Sequence, residues 1–144
     1  MRISARGEYA IRALLDLALH HGEGLRPIQD IAAQQGIPQR YLEQVLLQLK
    51  RAGFLEARRG SAGGYRLSRP PDQVTVGAVL RAVEGGPGEA PSGGRGRVRQ
   101  AGDLADLWRE IDEAVASVVD AVTLETLRRR AAERRAGHRP MYHI

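Results

Sequence analysis

Residues Pro27-Ile-Gln-Asp-Ile-Ala-Ala-Gln-Gln-Gly36-Ile-Pro-Gln-Arg40-Tyr-Leu-Glu-Gln-Val45 decide the fold. Pro27 suits a helix start, Ile28, Ile31 and Ala32 recur at helical spacing, and Gly36 supplies a left-handed stop. Pro38 opens the next helix, which runs to about Arg51 with Leu42, Val45, Leu46 and Leu49 as its apolar stripe and Gly53 as its close. Ala32 is small where the second helix must cross, and Ile31, Ile37, Leu42 and Val45 hold the two at a fixed angle. The segment reads as a helix-turn-helix.

Upstream, the spacing predicts a helix from Ser4, a candidate N-cap, to His20, with Ile11, Leu14, Leu15, Ala18 and Leu19 on one face and Gly22 and Gly24 ending it. Downstream, Phe54-Leu-Glu-Ala-Arg-Arg-Gly60 and Ser61-Ala-Gly-Gly-Tyr65-Arg-Leu-Ser68 form a hairpin whose turn glycines permit positive φ. Arg69-Pro70-Pro71-Asp72 breaks the chain, and Thr75 caps a short helix over Val76 to Val83. Seven of the eighteen positions from Gly85 to Gly102 are glycine and two are proline, so a loop is expected there. Asp103, with Asp106 three residues on, suits the cap of a longer helix. In it Leu104, Trp108, Ile111, Val115, Val118 and Val122 alternate steps of four and three, the spacing of a coiled-coil seam. Thr123 caps a last helix containing Leu124 and Leu127, and the chain becomes polar from Gly137. The fold class expected is mainly α with a small β-hairpin: a helix-turn-helix domain over 1–84, a loop over 85–102, a long dimerisation helix and a short helix over 103–136, and a tail over 137–144.

The 144 residues carry a formal net charge of +5, and all of that surplus lies in residues 1–69, which hold eleven Lys+Arg against six Asp+Glu. A polyanionic partner is implied. Lipid surfaces fit less well, because the basic residues are spread over several short elements. No apolar run reaches the length of a membrane span and the first residues lack a signal-peptide core, so a cytoplasmic location is expected. Cysteine is absent, which removes disulfides, thiolate catalysis and Cys-ligated zinc or iron-sulphur clusters. His20, His21, His138 and His143 do not form a converging metal set. Gly60-Ser-Ala-Gly63-Gly64 lacks the Gly-Lys-Ser/Thr of a phosphate loop, and no nucleophile with a nearby base or paired carboxylates suggests an enzyme. Aromatic residues make up only 4%, too few for stacking platforms of the kind that single-strand binders use.

A helix-turn-helix followed at once by a glycine-rich, arginine-tipped ribbon is a winged-helix arrangement, and its expected partner is double-stranded DNA. Gln39, Arg40, Glu43 and Gln44 lie opposite the apolar stripe of the third helix, and their side chains suit base edges in a major groove. Arg58 and Arg59, followed by Gly60, Gly63 and Gly64, combine guanidinium charge with a backbone able to approach a minor groove.

Ser4-Ala-Arg-Gly-Glu-Tyr9-Ala, Ile37-Pro-Gln-Arg-Tyr41-Leu-Glu-Gln, Arg59-Gly-Ser-Ala-Gly-Gly-Tyr65-Arg-Leu and Thr75-Val-Gly-Ala-Val-Leu-Arg-Ala-Val-Glu-Gly resemble the Rrf2 family of bacterial transcription regulators. Leu107-Trp108-Arg109-Glu110 and Val122-Thr123-Leu124 resemble that family's dimerisation region, so the likeness covers about residues 1–127. It implies a winged-helix homodimer on a near-palindromic operator, with Arg40, Tyr41, Glu43 and Gln44 in the major groove and Arg59, beside Ser61 and Gly63, at the minor groove. Many members sense iron-sulphur status through three cysteines in the loop matching Gly85 to Gly102, and this sequence has none. Glu8 matches a cluster ligand of an unusual member, an arrangement that also needs cysteine. The implied function is a sequence-specific repressor without a conventional cluster, answering to an unidentified effector or partner protein. The alternatives are a winged-helix adaptor that binds another protein, and a cluster-based redox sensor, which the missing thiols disfavour. Arg95, Arg97 and Arg99 in the loop are assigned to solvent in preference to DNA or a partner.

Overall fold

The computed structural model describes residues 3–84 and 102–137. Most of the glycine-rich stretch, with Arg95, Arg97 and Arg99, and the tail with His138 and His143 lie outside the described residues. The elements are α1 (Ala5–Leu19), α2 (Ile28–Gln35), α3 (Gln39–Arg51), β1 (Leu55–Arg58), β2 (Gly64–Leu67), a 3-10 turn (Pro71–Gln73), α4 (Val76–Glu84), α5 (Ala105–Ala121) and α6 (Leu124–Gly137).

Each helix begins or ends where its local chemistry requires. Ser4 Oγ accepts from the Gly7 N–H at 3.2 Å, Thr75 Oγ1 from Ala78 at 3.1 Å, and Thr123 Oγ1 from Thr126 at 3.1 Å. All three predicted hydroxyl caps form. Gly36 closes α2 at φ 64°, a conformation that a Cβ would strain, and turns the chain into α3. Asp103 does not cap α5. It lies in the preceding turn, and the cap position falls to Leu104 with no side-chain bond, because Ala105 N–H is already taken by the Gly102 carbonyl at 3.2 Å.

The core forms between α1, α2, α3 and α4. Ala10, Ala13 and Leu14 of α1, Ile31 of α2, Leu42, Leu46 and Leu49 of α3 and Val79 and Leu80 of α4 are fully buried. On α1 the buried face is rotated from the expected one: Leu17 is inside, whereas Ile11, Leu15 and Leu19 are half-buried. Alanines at 10, 13 and 18 let neighbouring helices approach closely around Leu14 and Leu17, which leaves Ile11, Leu15 and Leu19 on the rim.

β1 and β2 pair antiparallel from Leu55↔Leu67 to Arg58↔Gly64. A third strand-like rung joins them, since Arg26 N–H donates to Tyr65 O at 2.8 Å and Tyr65 N–H to Arg26 O at 2.9 Å. Of the turn glycines, Gly60 has φ 111°, but Gly63 does not use positive φ. Gly63 is small because a Cβ there would collide with the Arg58 carbonyl. Close strand approach, and not turn handedness, sets that position.

The carboxy-terminal helices are fastened to this unit. Val76 N–H donates to Val122 O at 2.8 Å and Leu124 N–H to Val74 O at 2.9 Å, and Leu124 is wholly buried in the common core. Arg81 of α4 grips Asp120 of α5 with two bonds of 2.7 Å. The hydrogen bond from Arg81 is the chief cause that lowers the Asp120 pKa, against a smaller opposing effect of desolvation.

Candidate nucleic-acid interface

The helix α3 turns by about 100° per residue, and burial of Leu42, Val45, Leu46 and Leu49 therefore fixes what faces outward. Arg40, Gln44, Leu47 and Arg51 stand on the strip opposite that stripe, all exposed. Gln39, Glu43 and Lys50 occupy one flank. Tyr41 and Gln48 occupy the other, where Gln48 Nε2 donates to the carbonyls of Ala82 and Val83 at 3.4 Å and ties the helix to α4.

Between α3 and the wing lies an open cleft of about 670 Å³. Glu43, Leu47 and Lys50 line one wall, Arg58, Arg59, Ser61 and Gly63 the other, and Ile28 and Gln29 the floor. The fold thus brings Glu43 together with all four wing residues expected to touch DNA. Gln39, Arg40, Tyr41 and Gln44 are exposed but stand outside this cleft, Arg40 and Gln44 on the outer strip. Tyr41 is 48% exposed on the far flank, with the Arg40 guanidinium 5.3 Å from its ring centroid. That stack holds a long cation at the amino end of the helix and reduces the entropy lost on binding.

Among the described residues, Arg58, Arg59, Lys50 and Arg51 have no ion-pair partner, and neither does Glu43. Three uncompensated cations, Lys50, Arg58 and Arg59, line this cleft and create a positive field, with Arg51 on the outer strip beside it, and Glu43 is the lone acid on the α3 wall. The sequence reading missed Leu47, Lys50 and Arg51. The signal was present: continuing the helical period from Arg40 through Gln44 reaches 47 and 51, and from Glu43 reaches 50.

The seam residues of α5 do not share one environment. Trp108, Ile111, Val115 and Val122 are half-buried, whereas Leu104 is 54% and Val118 64% exposed. No residue of α5 is buried, and Leu107, outside the expected seam, is 45% exposed. One side of the apolar face packs towards α4 and the other, through Leu104, Leu107 and Val118, is left open.

A model of the Rrf2 family, described as an iron-dependent transcriptional regulator, matches residues 3–130. The chain belongs to the Rrf2 family. Over 130 residues it is 38% identical to the HTH-type transcriptional regulator IscR of Aliivibrio salmonicida, covering 88% of this chain and 77% of that protein. CymR, the global cysteine regulator of B. subtilis, is 33% identical in sequence and superposes with a TM-score of 0.77 over 90% of this chain and 98% of its own. IscR of T. potens follows with 31% identity and a TM-score of 0.75 over 91% of this chain and 88% of its own. This Rrf2 protein is a DNA-binding transcriptional regulator with the winged-helix fold of those relatives, which are not enzymes. Among its described residues no helix is long and apolar enough to cross a membrane.

The iron-sulphur cluster of the family does not fit this chain. There is no thiol anywhere in the sequence, and among the described residues no three His, Asp or Glu side chains converge. His20 and His21 both line a shallow cleft beside Arg26, where His20 is engaged by Glu23 at 3.3 Å.

Proposed function

We propose that this Rrf2 protein acts as a homodimer that represses transcription from a near-palindromic operator. The 1–84 unit binds DNA and the 103–136 segment pairs two chains. α3 enters the major groove, where Arg40 reads guanine, Gln39 and Gln44 read adenine and Glu43 accepts from a cytosine amino group. Tyr41 contacts the sugar-phosphate edge. Arg58 and Arg59 follow the minor groove, with Ser61 and Gly63 keeping the tip slim enough to approach it. The open side of α5 meets its symmetry mate and sets the two recognition helices about 34 Å apart.

One observation carries this reading: Glu43, exposed and without a partner, lines the same cleft as three uncompensated cations, Lys50, Arg58 and Arg59. An acid there weakens attraction to phosphate, so its use lies in reading a base. Lacking a cluster, the protein takes its signal from an unidentified effector or partner protein, and it works in the cytoplasm. The test is a competition shift assay with fragments selected from the source genome. Retention that survives a large excess of random duplex and falls steeply between roughly 50 and 200 mM salt is expected. Weak, sequence-blind retention would identify a protein-binding adaptor instead.

A further inference from the structure

Asp16, in the middle of α1, has no exposed surface, yet it carries a carboxylate. Its Oδ1 accepts from Arg26 Nε at 2.9 Å and its Oδ2 from Gln35 Nε2 at 3.3 Å. Those two partners stand at opposite ends of α2, Arg26 just before its start and Gln35 at its last residue. Arg26 also reaches Asp30 of α2, Nη1 to Oδ2 at 3.6 Å. The backbone of Arg26 meanwhile makes both bonds of the rung with Tyr65 of the wing. Gly64 lies so close to the Arg26 carbonyl that a Cβ would stand 2.6 Å from its oxygen.

A single side chain therefore fixes both ends of α2, and through Arg26 the base of the wing. α2 carries α3 by their packed faces, so the angle between recognition helix and ribbon has its reference at Asp16. Replacing a buried ion pair with apolar side chains of similar volume is often neutral for stability. Geometry, more than stability, is what such a pair supplies here. We propose that Asp16, acting through Arg26 and Gln35, is a positioning residue that sets the wing against α3 and so determines operator discrimination. This rests on the DNA-binding reading above.

The test is a double-mutant cycle on the full chain, crossing Asp16→Leu/Arg26→Met with Arg59→Ala and with Arg40→Ala, on a selected fragment and on random duplex. Thermal unfolding is followed in parallel. The expected result is a folded protein whose affinity for the selected fragment falls about tenfold, well beyond the smaller loss on random duplex that follows from the misplaced Arg59. Arg59→Ala should then add less than about threefold in the altered background, because the wing is already misplaced, whereas Arg40→Ala should cost as much as before. Equal Arg59→Ala losses in both backgrounds would overturn the proposal. Where the double variant fails to fold, Asp16→Asn keeps the shape and enters the same cycle. If Arg59→Ala has no effect even in the natural chain, the wing does not touch DNA, and that functional reading falls together with this one. A normal Arg59→Ala loss that stays additive sinks the positioning role alone.

Discussion

The helix-turn-helix unit and the α5 helix use similar apolar repeats and reach opposite ends. α3 buries four of its residues, among them Leu42, Leu46 and Leu49 to completion, against neighbours in its own chain. α5 is four residues longer, has an equally regular repeat, and buries none. Beyond the side that packs towards α4, it is held by the Arg81–Asp120 pair and by the Thr75↔Thr123 backbone bridge just past its end, while Leu107 and Val118 stay open. A helix already held in place with one apolar edge uncovered offers that edge for association, whereas a sealed one has finished folding.

The largest effect should come from placing a charge on the open edge. Val118→Glu puts two carboxylates into a twofold seam and should weaken dimerisation by about 3 kcal/mol or more, with operator binding lost. Sedimentation equilibrium decides it, and a variant that remains a tight dimer contradicts the seam. Val115→Glu, half-buried, should also give monomers but with some loss of fold. Next, the two regions should respond differently to one chemical change. Leu49→Ala should cost about 2 to 5 kcal/mol of stability at every protein concentration. Leu107→Ala should leave the monomer within about 0.5 kcal/mol and act only through concentration-dependent melting.

A smaller effect separates reading from gripping within the sealed unit. Arg40→Ala and Glu43→Ala should each reduce discrimination by about 1 to 3 kcal/mol at the base concerned. Arg59→Ala should lower affinity more evenly and flatten the salt dependence by about one unit of slope. Equal losses on selected and random duplex would remove the base-reading role of Arg40 and Glu43. The smallest effect concerns the anchor. Because the Asp120 pKa is depressed by Arg81, the stabilisation is fully present above the ordinary aspartate value and is lost as pH falls through the lowered one. Unfolding monitored by Trp108 fluorescence should therefore be flat near neutrality and turn down only in acid, and Asp120→Asn should remove that contribution.

Local chemistry made most of the fold legible. Gly36 and the caps at Ser4, Thr75 and Thr123 are short-range signals, and the structure uses each as expected. Features made by distant residues were not legible. Asp16 and Gln35 are nineteen positions apart and follow no period, so their meeting with Arg26 leaves no trace in a pattern of apolar residues. Gly63 looked like turn chemistry because the obstruction by the Arg58 carbonyl exists only once the strands pair. The α5 repeat gave the width of its apolar face but not what covers it, which α4 settles for one side alone. At the interface, Arg40 through Gln44 could be read from the first turn of α3, while Lys50 belongs to the cleft only because the wing folds back beside it.

The most direct measurement is base-by-base interference footprinting on a fragment selected by the natural chain. Two major-groove patches about 34 Å apart are expected, each flanked by protected minor groove that Arg59→Ala erases, with Glu43→Ala relieving the demand for a single cytosine. Protection without base preference, or one isolated patch unaltered by either substitution, would contradict the account.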